Sequence, residues 1–284
     1  MIYCKELNKE FESKSDLFKA LVENESFIID AKKSQVYKSF EKGLQVVSDQ
    51  KTIEKAFNDS EKGIKFDSDY YYFVVNSANY LDSHNDMHVD GNWNKSVKDQ
   101  NGKVYLVWHH DFSKTENIIA FPEDIEMITS KVAWSLLGKS YEGETYSLIY
   151  KVKKDKIVNE NVSKWLKEGR KLQLSVRMQY IKLETAFNSD DEDYSKQTEN
   201  YNKYYPLIAN KDEFKEIEYF FIVKEAKNVM ESSLLPFGSN SATAEISQSE
   251  NKTDADTITP EIKNEPSIDT QKQEELLKEL LNKF

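Results

Sequence analysis

The chain has a single cysteine, Cys4, so it can form no internal disulfide and no cysteine framework holds its fold. Its opening run, MIYCKELNKEF, puts charges where a secretory leader needs apolar residues. Together these predict synthesis and residence in a reducing cytoplasm. No apolar stretch approaches the ~20 residues that cross a bilayer, and the densest, Tyr70 to Val75, has the length of a strand. Only 8 glycines occur, none clustered, and neither a P-loop nor a GxGxxG turn is present. That excludes the common phosphate cradles, and with them kinases, nucleotide hydrolases and dinucleotide enzymes. The GxSxG elbow of the common hydrolases is also missing. Basic residues number 39 against 50 acidic ones, a net charge of -11, which disfavours nucleic acid or an anionic membrane as partner.

Aromatic residues are plentiful, with 16 Tyr, 15 Phe and 4 Trp, so a sizeable core can form. Strand-type runs recur as YYYFVV (70–75), VYLVW (104–108), TYSLIYKV (145–152), LQLSVRMQYIKL (172–183) and IEYFFIV (217–223). Ser15 and Asp16 can cap a helix through Leu17, Phe18, Leu21 and Val22, while SFIID (26–30) reads as a strand. NENVSKWLKEGRKL predicts a helix capped by Asn159 or Asn161, with a stripe of Val162, Trp165 and Leu166 and a stop near Gly169. PEDIEMITSKVAWSLLG also reads as helix, from Pro122 and its acidic first turn to Gly138. Residues 188–213 read as a long insertion or a solvated helix pair. Strands outnumber helices without regular alternation, so an α+β fold or a barrel-like sheet is expected and a doubly wound parallel sheet is not. Four segments follow: an N-terminal helical segment (1–60), the main domain (61–237), a disordered linker (238–269) and an amphipathic C-terminal helix (270–284).

All 4 histidines lie between residues 84 and 110. In LDSHNDMHVDG, alternation would set Asp82, His84, Asp86, His88 and Asp90 on one face of an extended strand, a metal-competent set. A closed zinc site normally takes ligands from separated elements, however, and nothing downstream completes this one. The bland alternative is a solvated polar loop. In VYLVWHHD a hydrophobic strand delivers His109 and His110 to its end, one ring on each face, followed by Asp111. A histidine held there suits a general base. Ser175 sits inside a strand: if Leu174, Val176 and Met178 face the core, Ser175 and Arg177 share the other face.

The order of these blocks resembles the tailed-bacteriophage prohead (capsid maturation) proteases, serine peptidases similar to the herpesvirus capsid assemblin. NYLDSHNDMHVDGNWNKSVKD, VYLVWHHD, LQLSVRMQYIKLETAFN and YFFIVKEAKNVMESSLLPFGSNSAT carry the likeness over residues 65–245, and FESKSDLFKALVENESFIIDAKKS is similar to the leader of relatives. The resemblance implies an antiparallel barrel-like β-sheet with surrounding helices. It also implies Ser175 as nucleophile, His110 as base and Glu231 as third member, with no cofactor or metal. Implied partners are the major capsid and scaffold proteins as substrates, inside the procapsid in the host cytoplasm, with a homo-oligomeric state left open. Arg177 and Ser232 stand where relatives often have glycine. That departure motivates an alternative, a catalytically inactive capsid scaffold or core protein, and the histidine run motivates another, a metal-dependent hydrolase.

Overall fold

The computed structural model describes residues 1–39, 67–170 and 172–235. The expected linker and C-terminal helix, and residues 40–60 of the N-terminal segment, lie outside them. The chain opens with a hairpin of β1 (Ile2–Cys4) and β2 (Lys9–Phe11), followed by helices α1 (Lys14–Glu23) and α2 (Glu25–Ser34) and strand β3 (Tyr37–Ser39). The cap of α1 is Ser13, whose hydroxyl accepts from the Asp16 N–H, rather than Ser15 or Asp16. Residues 26–30 are helical, not a strand: the five apolar and polar residues are too short a run for periodicity to decide, and Ile28 buries within α2.

After β4 (Tyr70–Ser77) come β5 (Asp86–His88), α3 (Asn94–Gln100), β6 (Tyr105–Trp108), β7 (Ile118–Ala120), β8 (Ile125–Ala133) and β9 (Glu144–Lys153). The stretch expected as a helix from Pro122 to Gly138 is β8 between two short 3-10 turns. Its Pro, acidic pair and left-handed Gly138 punctuate those turns, while Ile125, Met127 and Val132 bury against the sheet. Helix α4 (Glu160–Lys167) forms as expected, with Asn159 accepting from the Val162 N–H and Gly169 at φ +70° beyond its end. The long strands β10 (Gln173–Phe187) and β11 (Tyr219–Leu235) flank helix α5 (Ser195–Tyr204). This last helix and its short turns are not a solvated pair, because Tyr201, Tyr204 and Ile208 bury with Phe220 and Ile222.

The result is a mixed α+β fold, and no sheet closes into a barrel among the described residues. One sheet runs β3-β10-β11-β6-β7, and β11 is its spine. It pairs antiparallel with β10 from Phe187↔Tyr219 to Gln173↔Leu235, parallel with β5 near its start and parallel with β6 near its end. A second, antiparallel sheet runs β4-β9-β8. Alternate residues of β4 divide between two cores, as strand geometry requires. Tyr71, Phe73 and Val75 join Leu106, Leu174, Val176 and Met178 in the main core, while Tyr72 and Val74 pack with Trp134 and Ile149. The N-terminal segment contributes to the same main core through Leu17, Phe18 and Leu21, with Phe18 stacked on Phe187 at 4.9 Å. Lys32 of α2 locks it down, its ammonium 2.6 Å from the buried Asp86 carboxylate and 4.3 Å from the Phe221 ring centre.

Candidate active site

Three adjacent strands bring Ser175, His110 and Glu231 together. Ser175 lies in β10 opposite Ser233 of β11 and is only 1% exposed. Leu174, Val176 and Met178 face the main core, so alternation turns Ser175 to the other side. The Ser175 hydroxyl oxygen is 2.7 Å from His110 Nε2.

His110 sits just past the end of β6, as expected, and the tight turn that holds it replaces strand alternation there. The Asp111 N–H donates to the Trp108 carbonyl at 3.1 Å, and both central residues, His109 and His110, have positive φ, +57° and +55°. That is the mirror-image type I turn, which favours Asn-Gly. Two non-glycine residues in the left-handed region cost on the order of 1–3 kcal/mol each, and such strain persists only where surrounding contacts over-determine it. Here β11 supplies them: the Leu234 carbonyl accepts from His109 N–H at 3.1 Å and the Ser233 hydroxyl from His110 N–H at 2.7 Å. His109 is exposed, its ring 5.0 Å from that of Trp108, and takes no part in the triad. Asp111 accepts from Ser113 N–H and Asn117 Nδ2 and so shapes the loop that leaves the turn.

Glu231 is wholly buried, and its Oε1 lies 2.8 Å from His110 Nδ1. A carboxylate only accepts, so Nδ1 carries the imidazole proton and Nε2 is left as an acceptor for the Ser175 hydroxyl. An irregularity in β11 aims the carboxylate. Val176 pairs with Ser232 and Met178 with Asn228, so Arg177 alone opposes Val229, Met230 and Glu231. The looped-out Met230 is 54% exposed at φ +70°. Asn228 pins the bulge from inside: its amide nitrogen lies 3.3 Å from the Glu231 carbonyl and 3.3 Å from the Ser232 hydroxyl, and donates to the Tyr150 hydroxyl at 2.7 Å. Its own backbone is held by Ser96 and Gln100 of α3. Burial pushes the Tyr150 phenol well above its usual range, so it stays neutral in this network. Ser232 is fully buried and fits within it.

Arg177 lies two residues along from Ser175, partly buried on the same strand face, with its Nε buried and lacking a hydrogen-bond partner. Asn228, Tyr150 and Ser233 were not expected as part of the site. Only Ser233 had a signal in the sequence, standing two residues from Glu231 and so on its side of a strand.

The run from Asp82 to Asp90 is not one extended strand. Asp82 Oδ1 accepts from the N–H groups of His84 and Asp86, Asn85 turns at φ +56°, and only Asp86–His88 is extended. The side chains then part: His84 against Tyr37, Asp86 on Lys32, His88 on Asn92 and parallel to Trp93, Asp90 on Asn79. Burial lowers the His88 pKa to about 3. Among the described residues no three His, Cys, Asp or Glu side chains converge as a metal site requires.

No protein-family profile, curated protein or solved structure matches the chain.

Proposed function

We propose that the protein is a serine endopeptidase in which Ser175 is the nucleophile, His110 the general base and Glu231 the residue that orients and charges against it. The hydrogen-bonded sequence Ser175 Oγ, His110 Nε2, His110 Nδ1, Glu231 Oε1, at 2.7 and 2.8 Å, carries the reading. In the reaction Nε2 takes the Ser175 proton as Oγ attacks the scissile carbonyl. The same proton passes to the leaving amine, and water, activated by the same ring, releases the acyl group. The block order along the chain supports the prohead-protease class, with capsid and scaffold proteins, and the chain itself, as substrates inside the procapsid. The same likeness supports an assemblin-type, barrel-like reading of the two larger sheets.

A fluorophosphonate probe tests this, since an activated serine displaces fluoride and forms a stable O–P bond. The full chain is expected to take up one label at Ser175. Ser175→Ala and His110→Ala should abolish labelling and any self-cleavage, while His109→Asn, which suits a left-handed residue, should change the rate less than about threefold. Labelling that survives Ser175→Ala would sink the assignment. Arg177, beside the nucleophile, favours one second reading, an inactive capsid core protein, which a folded but unlabelled chain would select.

A further inference from the structure

Ser233 stands in an unusual position. Its hydroxyl accepts from the backbone N–H of His110 at 2.7 Å and lies 3.1 Å from Glu231 Oε2. Because the oxygen already accepts from an N–H, its own proton is free to go to the carboxylate. The other carboxylate oxygen, Oε1, receives Nδ1–H from the ring of that same histidine. Backbone N–H, serine hydroxyl, carboxylate and imidazole therefore close a ring that begins and ends on one residue. Every member is largely or wholly removed from water: Ser233 and Glu231 are 0% exposed, and the His110 side chain 9%.

We propose that Ser233 is a positioning residue of the proposed hydrolase: its hydroxyl locks the backbone of the left-handed His110 turn and the Glu231 carboxylate to each other, and so aims the imidazole at Ser175. Three features separate this role from that of a sheet serine bonded by chance. Ser233 sits directly across from Ser175 in the β10–β11 pairing, on the site's side of the sheet. His110 is in a conformation that non-glycine residues avoid, and of its own backbone groups the N–H is held by this hydroxyl. A buried carboxylate oxygen without its donor also loses more than one hydrogen bond, because water cannot replace the partner. Ser233 is not itself the nucleophile, since its oxygen meets the backbone and carboxylate while Nε2 points at Ser175.

The proposal rests on the serine-hydrolase reading, and the test separates the two. With the full chain and the fluorophosphonate at rising concentration, Ser233→Ala should lower the maximal labelling rate about 10- to 100-fold, the size of effect a misplaced catalytic group produces, with the half-saturating probe concentration unchanged. Ser233→Thr keeps the hydroxyl and should recover most of the rate. An undiminished maximal rate in Ser233→Ala overturns the proposal, as do equal losses in the Ala and Thr variants. Labelling retained by Ser175→Ala counts against the hydrolase reading instead. A second measurement needs no activity. The Nδ1 proton of His110 should give a sharp, far-downfield NMR signal in the parent chain and exchange with solvent at least about tenfold faster in Ser233→Ala. Unchanged exchange overturns the positioning role even in a protein that labels nothing.

Discussion

Replacing Glu231 by glutamine keeps the side chain's size, removes its charge and forces one contact to reverse. The carboxylate accepts at both oxygens, from His110 Nδ1 at 2.8 Å and from the Ser233 hydroxyl at 3.1 Å. An amide offers one acceptor and one donor. If its NH₂ turns to the imidazole, the ring must carry its proton on Nε2 and cannot take the one on Ser175; a tautomer error of this kind costs about 10⁴-fold. If the NH₂ turns to Ser233, the hydroxyl can accept a second bond and the productive tautomer survives. The charge is then lost, together with the acceptor of the Ser233 proton. A carboxylate ~4 Å from an imidazolium stabilises it by about 4 kcal/mol at an effective dielectric of about 20, or roughly 10³-fold in rate. Because Ser233 makes the milder branch available, the expected loss is about 10³-fold. The assay is the second-order rate of fluorophosphonate labelling, read beside a thermal melt to establish folding. A loss below about tenfold in a folded variant refutes the electrostatic role of Glu231, and a loss near 10⁴-fold refutes the amide orientation argued here.

Met230→Gly should raise stability by about 1 kcal/mol, because an exposed side chain at φ +70° is exchanged for the residue that adopts this conformation freely; a lower denaturation midpoint would show that the methionine is held by packing. Two buried groups should give opposing pH responses. Burial, reinforced by the nearby Asp82 charge, raises the Asp86 pKa to about 7, so its contribution is full at low pH and is lost as pH rises from about 4 to 7. His88, lowered to about 3 by burial, contributes fully above its ordinary value near 6.5 and loses that contribution as pH falls. Each is worth up to roughly 4–5 kcal/mol across its window, so Asp86→Asn should leave a protein that melts lower at pH 4 than at pH 6.5, and His88→Asn one with the reverse trend. Calorimetry at the two pH values checks this, and slopes of the same sign in both variants would refute it.

Strand periodicity made much of the main sheet legible. Leu174, Val176 and Met178 alternate with Ser175 as a half-buried strand should, and VYLVW announces β6. What periodicity missed is where turn chemistry and strand pattern overlap. Pro122 and Gly138 bracket β8 with helix-type punctuation, although they belong to the turns at its ends. Ser175, His110 and Glu231 are marked by block order more than by local pattern. The geometry that joins them depends on His109, His110 and Met230 in left-handed conformations, which no non-glycine residue advertises in sequence. Asn228 and Tyr150 lie 78 residues apart in the chain and meet across the core, a contact that no spacing rule anticipates.

The strand order carries a consequence for biosynthesis. β6 and β10, which deliver the proposed base and nucleophile, do not pair with each other; β11 lies between them and brings Glu231 with it. A nascent chain that has reached Phe187 therefore already contains Ser175 and His110, yet has nothing to set them side by side. Ser175, His110 and Glu231 can come together only when residues 219–235 have left the ribosome and inserted as the central strand. A chain truncated before that point lacks the strand that joins the proposed base and nucleophile. On the proposed reading, the order of translation keeps Ser175 apart from its base until the central strand of this sheet has been made.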